Sequence, residues 1–349
     1  MRKLWGKKRT GKLLKAKENK QGRNLSHNLR YTIDMKTLLL IDAHAMIHRA
    51  FHALPDTLKA RDGTPTNAVY GFFNMIYRVI VESKPTHIAV CFDTPQPTFR
   101  KKLYKGYQAK RPPMDRSIKE QIPLIKRLLK DGGLACFEKP GFEADDVIGT
   151  IAEEQKKRFD RVLILTGDRD LLQLTDDTVS LMAPRKGVSD FQLFTPAEVM
   201  QKYGVTPNHI PDYKALAGDS SDNYNTVKGI GPKTTRKLLA GNITIEELLA
   251  NRDKVENPRF QKLLTEHANE VRLFKKIATI VRNVPLKNYQ NSLEFKGFNK
   301  TMQKLLQKLE LFSLINKLFN TKPEPASNVA NAKKKGEKET KQSDQMGLF

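Results

Sequence analysis

An α/β fold, a parallel sheet flanked by helices and followed by a mostly helical region, is predicted by three features of this chain. Thr37–Ile41, His87–Phe92 and Arg161–Thr166 are short, aliphatic-rich runs with the length of buried strands. Amphipathic patterns of helical period lie between them, as at Thr66–Val81 and Ile118–Leu129, which is how a parallel sheet alternates with its crossover helices. From Pro207 onward the pattern is helical, ending in an amphipathic stretch at Met302–Phe319. A chain of 349 residues with 39% apolar content can build one large or two ordinary domains.

Residues 1–34 carry 11 Lys or Arg against Glu18 and Asp34, a net 11 − 2 = +9, with little apolar periodicity. They read as a basic, disordered extension. It is a DNA-binding arm, an organellar transit peptide, or the product of an upstream start; Met35 stands directly before the first strand, which favours the last. The segments 35–200 and 201–320 are then a catalytic α/β domain and a helical domain. Beyond, 321–349 turns to Pro, Ala, Asn, Lys and Glu and reads as a flexible tail.

Overall charge is 62 − 38 = +24 with a pI near 9.8, which points to a polyanionic partner, nucleic acid first. The two cysteines, Cys91 and Cys136, build neither a disulfide framework nor a zinc site. No apolar run approaches the roughly 20 residues of a membrane span, and residues 1–34 lack the apolar core of a secretory signal. A membrane partner is not expected, and a monomer is.

Against this basic background, nine carboxylates sit at strand ends or in short polar turns: Asp42, Asp93, Glu143, Asp145, Asp146, Asp168, Asp170, Asp219 and Asp222. The carboxyl ends of parallel strands share one edge, so Asp42, Asp93 and Asp168 are expected to converge there. Converging carboxylates repel unless cations lie between them. Hard oxygen ligands suit Mg²⁺ or Mn²⁺, and a pair of such ions can hold the attacking and leaving oxygens of a phosphoryl displacement. Glu143, Asp145 and Asp146 open a helix; three acids in four residues exceed what the helix dipole asks for. Thr166-Gly-Asp168-Arg-Asp170 follows a strand, where one acid can cap the next helix and two can bridge cations. Gly218-Asp219-Ser-Ser-Asp222-Asn223 repeats the pattern in a loop.

Two further segments fit nucleic acid. Between Phe99 and Arg116, basic residues alternate with aromatics, the composition that grips a single strand by charge and stacking. Val227-Lys-Gly229-Ile-Gly231-Pro-Lys233-Thr234 starts a helix with two glycines that let backbone amides approach a phosphate, with Lys233 and Arg236 adding charge.

These strings resemble the 5′-nuclease (flap endonuclease) family, in particular the 5′-3′ exonuclease domain of bacterial DNA polymerase I. The motifs are Leu-Ile-Asp42 with His48-Arg-Ala-Phe-His52, Val-Cys-Phe-Asp93, Glu143-Ala-Asp-Asp146, Leu-Thr-Gly-Asp168-Arg-Asp170, Gly-Asp219-Ser-Ser-Asp222 and Gly229-Ile-Gly231, spanning about 36–319. The resemblance implies a PIN-like catalytic domain, a helical arch at about 99–125, a helix-hairpin-helix motif at 227–239 that often holds K⁺, and two Mg²⁺ or Mn²⁺ ions. It assigns Asp42, Asp93, Glu143, Asp145 and Asp168 mainly to the first metal and Asp146, Asp170, Asp219 and Asp222 to the second. Arg49, Phe51, Arg100, Tyr107, Lys228, Gly229, Gly231, Lys233 and Thr234 are the expected DNA contacts.

Two departures stand out. The family's arch reads Tyr-Lys and then an Arg; here it is Tyr107-Gln108, so either Arg111, Lys110 or Lys105 supplies the charge directed at the scissile phosphate or the rate is reduced. After Asp222-Asn223 the family continues Ile-Pro-Gly, and here Tyr224-Asn-Thr226 follows. No polymerase segment follows, so the chain reads as a stand-alone nuclease. Its last residues, with Gln345, Met346, Leu348 and Phe349, resemble the peptide by which bacterial replication proteins bind the sliding clamp.

The expectation is a cytoplasmic, nucleoid-associated nuclease acting on 5′ flaps, nicks, gaps and RNA-primed DNA in lagging-strand synthesis and repair. A non-catalytic junction-binding factor tethered to the clamp is the alternative, supported by Gln108. A PIN-type ribonuclease for structured RNA leaves the hairpin unexplained.

Overall fold

The computed structural model describes residues 35–187, 190–224, 227–287 and 293–319. The basic extension 1–34 and the tail 321–349, with the peptide expected to bind a clamp, lie outside them. Six strands, β1 (Thr37–Asp42), β2 (His87–Cys91), β3 (Ala135–Phe137), β4 (Arg161–Leu165), β5 (Val179–Lys186) and β6 (Asp190–Phe194), form one sheet in the order β3-β2-β1-β4-β5-β6. The first five are parallel and β6 returns antiparallel to β5. Ile41 pairs with Val90 on one side and Leu165 on the other, so all three predicted strands end level. The chain runs outward from β1 through β2 to β3, then restarts at β4 on the opposite side. That reversal makes the carboxyl end of β1 a topological switch point, where open α/β sheets place their sites.

Alternation along β1 fills both faces: Leu39 and Ile41 point to one core, Leu38 and Leu40 to the other. The first face is covered by α1 (Ala43–Ala53) and α2 (Asn67–Ser83) and, after the short α3 (Phe99–Leu103), by α4 (Arg116–Asp131). The second face is covered by α5 (Ala144–Gln155), whose Val147, Ile148 and Ile151 lie in a core that continues without a break into the helical region. That region holds α6 (Pro196–Tyr203), α7 (Ile210–Ala217), α8 (Pro232–Leu238), α9 (Ile245–Ala250), α10 (Pro258–Glu266) and α11 (Ala268–Ala278). The described residues from Lys36 onward form one compact unit, because the same apolar cluster runs from Val147 on α5 to Leu216 on α7 and Phe274 on α11.

The last helices correct the expected organisation. Met302–Phe319 was assigned to the helical domain, yet α12 (Lys300–Lys308) packs on α4 and α13 (Phe312–Phe319) on α2, on the far face of the sheet. Before them, Leu293 and Phe295 bond to Ile88 and Thr86 at the start of β2. An amphipathic stretch at the end of a helical region does not reveal which surface its apolar face will meet.

One buried polar side chain ties the first layer together. Thr66, at the start of α2, makes no side-chain cap, and Gln121 of α4 supplies the missing acceptor: its Oε1 takes the backbone N–H groups of Ala68 (2.8 Å) and Val69 (3.2 Å), while its Nε2 donates to Asn67 Oδ1 (2.9 Å). Gln121→Leu fits the space but strands those donors in a dry core, so it is expected to cost about 1–3 kcal/mol in urea unfolding. A loss below about 0.5 kcal/mol would remove Gln121 from this role.

Candidate active site

Asp42 ends β1 and caps α1. Its Oδ1 accepts from the N–H of Ala45 (3.1 Å) and its Oδ2 from the hydroxyl of Thr166 (2.7 Å). Burial, reinforced by the charge of Asp93, pushes its pKa up to about 7 despite these donors. Asp93, beyond β2, accepts the N–H of Ala144 at the start of α5 (2.8 Å). Its own N–H donates to His44 Nδ1 (3.1 Å), which leaves that nitrogen without a proton; burial likewise holds His44 towards its neutral form. Asp145 is raised well above the ordinary carboxylate range, first by burial and then by the charges of Asp168, Asp42, Asp93 and Glu143. Asp168 is raised too, by burial, although Lys214 and Arg111 oppose the shift. Five acids distant in sequence therefore feel one another across the switch point.

A second group lies beside the first. Asp170, Asp219 and Asp222 present carboxylate oxygens within 4.8 Å of one another, the only such triad among the described residues. The 219–224 loop closes on itself through Asp219 and Tyr224, whose backbones exchange hydrogen bonds (2.9 and 3.1 Å). The buried Tyr224 ring stacks on Phe274, so Tyr224 anchors the loop where the family has another sequence. Lys214 of α7 contacts Asp170 and Asp219, a position the sequence did not bring to notice.

Three predicted site residues are corrected. Asp146, expected to be a metal ligand, is fully buried: Arg100 grips it with two bonds (2.7 and 2.9 Å), Val281 N–H donates to Oδ1 and Glu143 N–H to Oδ2. Its oxygens are saturated by the fold. Arg100, expected at the DNA, is that buried partner and also donates to the carbonyls of Ile277 and Thr279 on the α11 side. Tyr107, expected to stack on a base, is 4% exposed, and its hydroxyl donates to Glu143 Oε2 (3.1 Å).

The predicted arch is α3, a run of turns at 104–115, and the first part of α4. Its turns rest on the second acid group. Gln108, in the left-handed region at φ 54°, donates from its backbone N–H to the carbonyl of Asp222 (2.9 Å) and from Nε2 to Asp222 Oδ1 (3.1 Å). Arg111 lies 3.6 Å from the same oxygen, so among the three arch cations it is the one placed at the acids; Lys105 and Lys110 are exposed. Arg49 directs its guanidinium at the carbonyls of Arg185 and Gly187, and Phe51 packs against the first core. In the hairpin, Lys228, Gly229 and Lys233 are exposed and Gly231 precedes α8, whereas Arg236 is tied back to the Lys202 carbonyl. Gly229 adopts φ 106°, and Arg259 of α10 comes so near that a Cβ there would meet its Nη2 at 2.8 Å. Arg259 thus joins the hairpin's basic surface, a neighbour no spacing in the sequence could show.

A model of the 5′-3′ exonuclease N-terminal resolvase-like domain matches residues 37–204, and one of the 5′-3′ exonuclease C-terminal SAM fold matches 205–301. The chain belongs to the 5′-3′ exonuclease family. The description of that family is of 5′-3′ exonucleases, which are nucleases. A 5′-3′ exonuclease of Aquifex aeolicus is 37% identical over 288 residues, which is 81% of this chain and 96% of that protein. DNA polymerase I of Bacillus subtilis is 40% identical over 270 residues, 76% of this chain and 30% of the polymerase. The chain thus spans about a third of the length of the polymerases it matches. T5 5′-exonuclease bound to zinc ions shares the fold, with a TM-score of 0.59 at 17% identity over 78% of this chain and 100% of that one. A T5 flap endonuclease variant in complex with DNA and metal ions gives 0.58 at 16%, over 79% and 100%. Among the described residues no helix is long and apolar enough to cross a membrane.

Within this exonuclease fold the Arg100–Asp146 pair is structural, and breaking it leaves a buried charge alone. Arg100→Met is expected to cost about 3–5 kcal/mol in urea unfolding, and a loss under about 1 kcal/mol would refute the assignment. The acid cluster makes a second prediction. Asp42 binds its proton more tightly when folded, so its contribution to stability is fully present below the ordinary carboxylate range and is lost as pH rises through about 7. Thermal melts in EDTA are expected to show falling stability over that window, with a shallower fall in Asp42→Asn. An equal slope in both proteins would exclude Asp42 as a source.

Proposed function

We propose that the chain is a structure-specific 5′-3′ exonuclease and 5′-flap endonuclease that hydrolyses phosphodiester bonds of DNA and of RNA-primed ends with two divalent ions. The observation that carries this reading is the pair of adjoining carboxylate groups under the arch, one holding Asp42, Asp93, Glu143, Asp145 and Asp168, the other Asp170, Asp219 and Asp222. The donor set fits Mg²⁺ or Mn²⁺: every candidate ligand is a hard oxygen, and burial, reinforced by neighbouring carboxylates, holds Asp42 and Asp145 in a protonated direction, as expected of ligands that await a cation. When bound, such ions supply positive charge to the attacking and leaving oxygens of the displacement.

This chain's own residues bind and orient the substrate. Arg111 faces the scissile phosphate in place of the family's arch lysine, with Lys110 and Lys105 along the single strand. Lys228, Gly229, Gly231, Lys233 and Thr234 hold the duplex backbone, and Arg49 and Phe51 border the 5′ end. A K⁺ ion at the hairpin belongs to the same reading. Flaps, nicks and gaps left in Okazaki-fragment processing and repair are the substrates, the peptide ending at Phe349 is the tether to a bacterial sliding clamp, and the protein acts as a cytoplasmic monomer.

A labelled 5′-flap duplex tests the reading. Cleavage near the flap base with Mg²⁺, abolished by EDTA and lowered by at least about 10²-fold in Asp168→Asn, is the expected result. Tight binding without cleavage, with Mn²⁺ as well, would replace it by a non-catalytic junction-binding role resting on Gln108. Faster cleavage of a hairpin RNA would favour a ribonuclease.

A further inference from the structure

Lys214 projects from the last turn of α7 into the group formed by Asp170, Asp219 and Asp222. Its ammonium contacts Asp170 Oδ1 and lies 2.5 Å from Asp219 Oδ2. The three side chains are nearly enclosed, with Lys214 14% exposed and both acids 12% exposed, so this is not a solvated surface pair. Gly218, at φ 74°, ends α7 and turns the chain sharply, which sets Asp219 back against the lysine five residues before it. Asp170 arrives independently, from beyond β4. Lys214 is therefore the cation around which two separate segments bring their carboxylates together.

We propose that Lys214 is a built-in counter-ion at the second metal position, and that its ammonium must leave Asp170 and Asp219 before a divalent ion can take their oxygens. The proposal rests on the metal reading above and adds a competition to it. Lys214, with Arg111 beside Asp222, sets two positive charges against three carboxylates, which leaves the group net negative, so a divalent ion is still attracted. It binds more weakly than it would to bare acids, because the ion pairs with Lys214 must first be broken. A flexible four-carbon stem lets the ammonium withdraw without moving α7. In the first group Arg100 contacts Glu143 (3.4 Å), and no cation touches Asp42, Asp145 or Asp168 among the described contacts, so the two ions are expected to enter unequally, the one held by Asp170, Asp219 and Asp222 second.

The test is Mn²⁺ binding to the full chain, followed by the electron paramagnetic resonance of free Mn²⁺ without substrate, with thermal melts in EDTA alongside. Wild type is expected to show a tighter and a weaker class of site. Lys214→Met should tighten the weaker class by about tenfold, the order set by losing one competing ion pair, and should lower the melting temperature in EDTA, where Asp170 and Asp219 then lack their cation. Lys214→Arg, which keeps the charge and can grip both acids, should leave the weaker class at least as weak as in wild type. If Lys214→Met does not fold without metal, Lys214→Gln carries the same expectation. A weaker class that is unchanged or loosened in both neutral variants overturns the proposal while leaving the two-metal reading in place. Absence of any Mn²⁺ binding in wild type would overturn both.

Discussion

Carboxylates from five separate segments meet at the carboxyl edge of one parallel sheet, and their mutual repulsion is the constraint to which the surrounding structure responds. The sheet order brings Asp42 to the switch point with Asp93 and Asp168 on either side, and α5 adds Glu143 and Asp145 from below. Each acid is held in place by a backbone donor: the first turn of α1 for Asp42, the first turn of α5 for Asp93, and the N–H of Asp170 for Asp168. A backbone built this way fixes the acids before any ligand arrives. The energetic cost appears as protons held too tightly, Asp42 near 7 and Asp145 well above its usual range.

The protein meets that cost in two physically different ways. At Asp146 the answer is permanent. Arg100 is 3% exposed, bonded to both carboxylate oxygens and to two carbonyls at the end of α11, so the pair joins α3, α5 and the helical region in one buried knot. At Asp170 and Asp219 the answer is a lysine, a compact charge on a movable stem with no further side-chain partner among the described residues. Asp219 shows its influence: burial alone would raise that carboxylate, yet Lys214 and Ser221 bring it below its ordinary range. An arginine fork with four satisfied bonds builds structure, and a lone ammonium between acids is suited to exchange.

How much of this was legible in the sequence depends on which kind of signal carried it. Strands β1, β2 and β4, the acids that follow them and the hairpin are written in local strings, and all appear where the sequence puts them. Asp146, Arg100 and Tyr107 were misassigned because residues adjacent in a motif need not share a surface: Asp145 and Asp146 are neighbours, but the helix turns one towards the cluster and the other into the core. The placement of α12 and α13 was also hidden, since amphipathicity says that a face is buried and not against what. Lys214 had a faint signal, five residues before Asp219 on a helix that ends at Gly218. Arg259 had none, because its nearness to Gly229 depends on how α10 folds back over the hairpin.

Gln108 shows why one substitution at such a site is not read from charge alone. Without the arch lysine the turn loses a cation, but its amide and backbone gain two bonds to Asp222, while Asn223 Nδ2 donates to the Gly106 carbonyl (2.7 Å) and Tyr104 reaches the Asn223 carbonyl. The base of the arch is thereby fastened to the loop that carries two of the three acids of the second group. Arg111, three residues on, is held within 3.6 Å of that same carboxylate. The turn thus keeps a positive charge beside Asp222, and the residue that carries it is positioned through its N–H by the carbonyl of the neutral Gln108. Placement of the arch and geometry of the acids are in this chain a single problem, with Asp222 as the shared group.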